Sequence, residues 1–211
     1  IVLIDFVSQK IVLYIFIFAN FQGGVFIRLK SYTLKEKNSE YILIGERNGI
    51  KLPGFDYGNS PSQLENELFN GKTIIHTTSA GTQGIANAKN ADVILTGSLV
   101  NAKAIAEFIK SNNYQDVSLV CMGLEAKSQT EEDNLCAYYI KSLLENNPID
   151  INAEIEKLKY TSGAKFFDES LKDIFPERDF YLSTEVDKFN FVLKLEKDEI
   201  NGFNYIKKIE L

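Results

Sequence analysis

Three acids in succession, Glu131-Glu132-Asp133 after Thr130, exceed what a helix start requires. Thr130 with an acid three residues on is close to a capping box, and acids in a first turn complement the helix dipole. Carboxylates one position apart also suit Mg²⁺, a hard cation that takes oxygen ligands. Asp5, closing the apolar run Ile1 to Ile4, is the other acid of interest, because a carboxylate ending a buried strand needs a cation or donors to meet it. The run Thr77-Thr78-Ser79-Ala80-Gly81-Thr82-Gln83-Gly84 joins a strand pattern to a helical one, where free N–H groups and the positive helix end face an anion. Gly81 and Gly84 allow close backbone approach. The run contains neither G-x-x-x-x-G-K nor G-x-G-x-x-G, which argues against a triphosphatase loop and against a nicotinamide-dependent oxidoreductase. Arg47, after Glu46, adds a cation, and Ser98, Asn101, Asn59 and Ser60 add donors. Phosphate donors, a cation and several carboxylates are the parts of metal-assisted phosphoryl transfer. Ordinary turns and caps account for each motif taken alone.

These residues share a position in the pattern. In open α/β sheets ligands gather beyond the carboxyl ends of strands. Strands are expected at Ile1 to Ile4, Tyr41 to Ile44, Thr73 to Thr77, Asp92 to Thr96 and Val117 to Cys121. Helices are expected over Gly84 to Asn90, Asn101 to Ser111 and Thr130 to Leu144. Ser60, Pro61 and Gln63 read as a helix start, with Gly71 as its stop. Short peripheral helices fill Pro148 to Glu177, and a strand pair, Phe189 to Leu195 and Asn204 to Ile209, flanks an Asn201-Gly202 turn. The alternation predicts an α/β fold, three-layered around a largely parallel sheet, as one domain over residues 1–211. His76, the sole histidine, falls inside a strand pattern and reads as a packed or rim residue rather than a general acid.

Composition narrows the function classes. A net charge of -6 and a pI near 5.0 argue against clamping nucleic acid, which needs a field of Lys and Arg. The apolar segment Ile11 to Phe18 is too short to cross a bilayer and lacks a signal-peptide cleavage pattern, so it reads as a buried strand or short core helix. It also suits a subunit interface, and a homodimer is the expected assembly. Cys121 and Cys136 read as two buried thiols of a cytoplasmic protein. The chain opens on Ile rather than Met, so a truncated or diverged amino terminus is expected.

Taken in order, Gly45-Glu46-Arg47-Asn48-Gly49, Gly54-Phe55-Asp56-Tyr57-Gly58-Asn59-Ser60-Pro61, Thr77-Thr78-Ser79-Ala80-Gly81-Thr82, Gly97-Ser98-Leu99-Val100-Asn101 and Glu131-Glu132-Asp133-Asn134-Leu135-Cys136-Ala137 resemble the motifs of 2-phosphosulfolactate phosphatases. The resemblance runs from about Tyr41 to the C-terminus and includes Phe180 to Asp187. It implies Mg²⁺-dependent hydrolysis of 2-phospho-3-sulfolactate, or a related 2-phospho-carboxylate, to 3-sulfolactate and phosphate, a step of coenzyme M synthesis. Family members carry an Arg soon after the first strand's Asp. This chain continues Phe6-Val7-Ser8-Gln9-Lys10 and has no Arg before Arg28.

The combined reading has Mg²⁺ held by Glu132 and Asp133 with help from Asp5, and the three acids as the catalytic set. Arg47, Asn59, Ser60, Thr78, Ser79, Gly81, Thr82, Ser98 and Asn101 surround a small anionic organophosphate. A metal-positioned water and Asp5 both remain open as nucleophile. The alternative is a paralogue that binds organophosphates or sulfolactate without turnover.

Overall fold

The architecture is that of a computed structural model. It describes residues 2–5, 24–47, 49–67, 69, 71–78, 84–85, 87–88, 90–114, 116–123, 128–200 and 204–211, with side chains from 31 onward. In chain order the elements are β1 (Val2–Asp5), α1 (Gly24–Lys37), β2 (Ile42–Arg47), β3 (Ile50–Lys51), α2 (Pro61–Leu64), β4 (Thr73–Thr77), β5 (Leu95–Thr96), α3 (Ala102–Ser111), α4 (Glu131–Leu144), α5 (Ile151–Leu158), α6 (Glu177–Ser183), β6 (Phe191–Lys197) and β7 (Asn204–Glu210). The segment 11–18, expected as a buried strand or core helix, lies outside the described residues.

The seven strands form one sheet in the order β3-β2-β4-β1-β7-β6-β5. The class is α/β, but the expectation of a largely parallel sheet is corrected. Only β2 with β4 and β1 with β7 pair in parallel; the other four described pairings are antiparallel. The reason is local. The connection from Lys197 to Asn204 is too short for a crossover, so β6 and β7 can pair only as a hairpin, and that hairpin occupies the sheet interior.

Strand alternation divides the core. Leu43 of β2 and Ile75 of β4 pack with Leu34 of α1, Leu52 and Phe55. Their neighbours Ile44 and Ile74 point the other way, onto Leu64 of α2, Phe69, Phe191, Leu193 and Ile206. Val192 faces a larger cluster built by α3, α4 and α5, including Ile105, Phe108, Tyr139, Ile140, Ile155 and Leu158, with Phe180 of α6. On α3, Ala102, Ile105, Ala106 and Ile109 are all buried, the helical spacing read in the sequence.

Two other expectations fail. Residues 116–123, which include the expected strand Val117 to Cys121, form no strand; Val117 and Val120 face solvent, so burial offers little to order them. Helix α2 ends at Leu64, well before Gly71. Ser60 precedes Pro61 as expected but makes no capping bond, its hydroxyl lying 3.1 Å from that of Ser62. The buried Asp179 instead accepts the Ser62 N–H at 2.9 Å. Among the described residues no helix is long and apolar enough to cross a membrane.

Candidate active site

The N-terminus of α4 holds the most unusual chemistry. Thr130 is its N-cap residue, yet the hydroxyl makes no capping bond, so the expected capping box does not form. Thr130 Oγ1, Glu132 Oε2 and Asp133 Oδ1 are all buried with no hydrogen-bond partner among the described residues. Buried polar atoms are nearly always bonded, and each orphan costs about 1–3 kcal/mol. Three within one helical turn set this turn apart as a candidate ligand site. The Asp133 side chain is aimed by its other oxygen, which accepts the Gly123 N–H at 2.6 Å. Burial raises the pKa of this carboxyl, the Gly123 bond opposes the rise, and the charge of Glu132 adds to it.

Gly123 is required for this bond. Its φ is +63°, and a Cβ there would fall 2.0 Å from the Ser128 carbonyl oxygen. The preceding Met122 meets the helical residue Gly84, where an added Cβ would lie 2.6 Å from Met122 Sδ. Gly84 closes the Ser/Thr run that begins at Thr77, so this contact brings the end of that run against the loop supporting Asp133. At the start of the run Thr77 and Thr78 are buried at the end of β4, and Thr77 Oγ1 also lacks a hydrogen-bond partner among the described residues. Ser79, Gly81 and Thr82 lie outside the described residues.

A second chain of contacts arrives from β2. A Cβ at Gly45 would fall 2.4 Å from the Thr77 carbonyl, so β2 and β4 close here only because residue 45 is glycine. The buried Glu46 accepts the Gly49 N–H at 2.9 Å, and Arg47 Nη1 donates to the Glu46 carbonyl at 2.9 Å. Gly49 abuts Phe175, within 3.0 Å of an added Cβ. The Lys165 ammonium lies 5.2 Å from the centre of the Phe175 ring and 5.4 Å from that of Phe166. Burial lowers the Lys165 pKa, and Glu132 is close enough to oppose that. Phe175 thus joins Gly49 of the Arg47 loop to Lys165, while Gly123 and Met122 join Asp133 to Gly84.

Other expected site residues make hydrogen bonds within the fold. The Ser98 N–H and hydroxyl both reach Asn101 Oδ1 at 3.1 Å, and Asn101 Nδ2 donates to the Phe191 carbonyl at 3.3 Å. Both side chains are buried, and these bonds hold the turn into α3. Asn59 Oδ1 lies 3.1 Å from His76 Nε2. His76 is buried, which pushes its pKa down to about 4, so the ring is neutral and packed as expected. The backbone of Asp5 is placed away from the others. Because β1 runs antiparallel to β4, Asp5 pairs with Thr73, roughly 13 Å along the strand from Thr77.

Sequence reasoning passed over Gly123, Lys165, Asp179 and Asp187. Asp187 accepts the Lys103 N–H at 2.7 Å, near the start of α3, and the Tyr139 hydroxyl at 2.6 Å, and burial together with this bond raises the tyrosine's pKa. An acid near the start of a helix from which it is remote in sequence leaves no local signal. Gly123 carries one, as a glycine between an apolar run and the acidic helix start.

A family description, 2-phosphosulpholactate phosphatase, matches residues 27–198. Curated proteins called "Probable 2-phosphosulfolactate phosphatase" are similar. That of Caldicellulosiruptor saccharolyticus is 42% identical over 120 residues, 54% of this chain and 49% of its own length. That of Caldanaerobacter subterraneus is 32% identical over 183 residues, 74% of this chain and 69% of its own. The Bacillus subtilis protein is 28% identical over 170 residues, 80% of this chain and 74% of its own. The chain spans about half the length of the first two such relatives it matches.

Proposed function

The chain belongs to the 2-phosphosulpholactate phosphatase family, and from that premise we propose that it hydrolyses 2-phospho-3-sulfolactate, or a related 2-phospho-carboxylate, with Mg²⁺. The observation that carries the reading is the turn of buried, unbonded oxygens from Thr130, Glu132 and Asp133.

The residues fit the cation in kind. Among the described residues no three His, Cys, Asp or Glu side chains gather as a metal site. Two carboxylates, each with a buried and unbonded oxygen, are nevertheless a usual complement for Mg²⁺, which keeps several waters and binds substrate oxygens. Glu132 and Asp133 would hold it. Once bound, it supplies Lewis-acid polarisation of a phosphoryl oxygen and neutralises developing negative charge.

The protein's own part is positioning. Gly123 fixes the orientation of Asp133 by bonding Oδ2 and leaving Oδ1 open. Glu46 holds the 46–49 loop through Gly49 and so sets the level at which Arg47 leaves the sheet, where its guanidinium can take a second anionic group of the substrate. Thr78 and the Ser79, Gly81 and Thr82 run supply donors for the phosphoryl oxygens. The register that pairs Asp5 with Thr73 favours water over Asp5 as nucleophile. The same register is the one observation favouring the second reading, a paralogue that binds without turnover, since it leaves the acidic pair without a third carboxylate.

The test is phosphate release by purified protein from 2-phosphosulfolactate, 2-phospholactate and a simple alkyl phosphate. The proposal expects the first two to be hydrolysed well ahead of the third. Tight binding of sulfolactate with no phosphate release from any ester would establish the second reading.

A further inference from the structure

We infer that His76 is a positioning residue for substrate binding: it holds the carbonyl end of the Asn59 amide and so presents the amide N–H₂ to an anionic oxygen of the substrate at the carboxyl edge of β2 and β4. The inference rests on the functional reading above and deepens it. The backbone on either side of Asn59 is held in place. Tyr57 pairs with Ile44 of β2, its carbonyl accepts the Gly45 N–H at 3.0 Å, and the Ser62 N–H donates to the buried Asp179 at 2.9 Å. Two residues beyond Tyr57 the chain has reached β4, where Asn59 Oδ1 lies 3.1 Å from His76 Nε2. An amide oxygen only accepts, so Nε2 carries the ring proton and donates. Burial keeps the ring neutral, which leaves it a single N–H, and that one is spent on Asn59.

The two ends of an amide have nearly the same shape and opposite hydrogen-bonding character. With Oδ1 on His76, the nitrogen is the end left over; Asn59 is half-buried, and no described residue accepts from its Nδ2. Register sets where that donor stands. Gly45 pairs with Thr77, so β2 and β4 end together, with Arg47 closing the one and Thr77 the other, at the level where Asn59 meets His76. This is the strand edge at which open sheets hold ligands. His76 faces the same side of the sheet as Ile74, whose cluster includes Leu64 of α2, Tyr57 and Ile85. Gly84, beside Ile85, meets Met122, and the next residue, Gly123, donates to Asp133. One face of the sheet therefore carries both the His76–Asn59 pair and the helical residues against which the Asp133 loop packs. Without the His76 N–H the amide is free to turn, and its oxygen would then face the anion in place of its donors.

The experiment is a double-mutant cycle of His76→Met and Asn59→Ala, with His76→Gln and Asn59→Asp beside it. Steady-state kinetics on 2-phosphosulfolactate and 2-phospholactate are paired with calorimetric binding of 3-sulfolactate and with thermal melting. Loss of a donor to a charged oxygen is expected to raise KM about 10–100-fold in Asn59→Ala, with kcat changed much less. His76→Met raises KM about 3–10-fold, and Gln, whose amide N–H can replace Nε2–H, restores most of the affinity. In the Asn59→Ala background His76→Met adds nothing to KM, because the imidazole acts only through the amide. A merely structural histidine would raise KM equally in both backgrounds, and that result overturns the inference. Asn59→Asp leaves His76 in place and sets a second oxygen where the donor was, so it keeps the test open if His76→Met does not fold; a folded Asn59→Asp protein with wild-type KM and wild-type sulfolactate binding overturns the inference while leaving the phosphatase reading intact. A KM rise on both substrates assigns the contact to phosphate or carboxylate, and a rise confined to 2-phosphosulfolactate assigns it to the sulfonate. A wild type that hydrolyses nothing, but whose sulfolactate binding shows the same His76–Asn59 coupling, leaves the inference standing and removes the phosphatase reading. A wild type that neither binds nor hydrolyses these anions overturns both.

Discussion

Replacing Asp133 with Asn separates a catalytic acid from a structural one. The Asp133 side chain is buried, and one of its two oxygens has no partner among the described residues. Its pKa is raised from the ordinary aspartate value, chiefly by burial, so the charged form is less favourable in the folded chain than in the unfolded one. The stability this group contributes is therefore full below the unfolded-state pKa and is lost as the pH rises through the folded value. At neutral pH without a divalent cation the native state holds an unfavourable charge, and Asp133→Asn removes it while keeping an oxygen able to accept the Gly123 N–H. The Asn amide N–H₂ replaces the unbonded oxygen, so the gain comes from removing a buried charge and its repulsion from Glu132, and is expected to be about 1–3 kcal/mol. In a chain of this size that is a rise of roughly 2–12 °C in melting temperature. With Mg²⁺ the order reverses. A cation at about 100 times its Kd stabilises the wild type by about 2.7 kcal/mol, and the Asn variant loses most of that gain along with hydrolysis. Differential scanning calorimetry in EDTA and in graded Mg²⁺ reads both limbs. A variant that melts below wild type in EDTA and responds equally to Mg²⁺ would show that the carboxylate is structural and refute the reasoning.

Other outcomes follow from the same contacts. Gly123→Ala forces a left-handed φ on an L-residue and drives a methyl into the Ser128 carbonyl, so a loss of about 2–5 kcal/mol is expected in urea denaturation, with weaker Mg²⁺ binding as the Asp133 clamp loosens. His76, buried with its pKa pushed down to about 4, contributes stability that is present above the unfolded value near 6.5 and is lost as pH falls through about 4. Urea midpoints for wild type should fall between pH 7 and 4 more steeply than for His76→Gln. Tyr139→Phe removes the 2.6 Å bond to Asp187 and is expected to cost about 1–2 kcal/mol in chemical denaturation, with kcat unchanged because neither residue adjoins the acids.

Sequence pattern carried the helices further than the sheet. Helices α3 and α4 were legible because their apolar spacing and terminal residues agree. Strands β2, β4, β6 and β7 were legible because each is a β-branched or alternating run closed by polar or turn residues. Their pairing was not, because an individual strand does not record whether its neighbour runs with it or against it. The β6–β7 hairpin and the antiparallel β1 turn the expected parallel sheet into a mixed one. Glu132 and Asp133 stand out in the sequence as an excess of acid over capping needs, and Arg47 as a cation; the structure puts unbonded oxygens on the acidic pair and Arg47 at the end of β2. Ser98 and Asn101 have the composition of a ligand loop, but they spend their polar atoms on each other and on Phe191. Lys165 had no signal of its own, because what distinguishes it is its place against the Phe166 and Phe175 rings.

The central claim, a phosphoester hydrolysis that depends on a cation at the Glu132–Asp133 turn, is tested most directly by phosphate release from 2-phosphosulfolactate with Mg²⁺, with excess EDTA, and after Mg²⁺ is restored. The account expects release that is abolished by EDTA, recovered with Mg²⁺, and absent from a folded Asp133→Asn protein under all three conditions. Release that persists in EDTA, or that survives in Asp133→Asn, would contradict it.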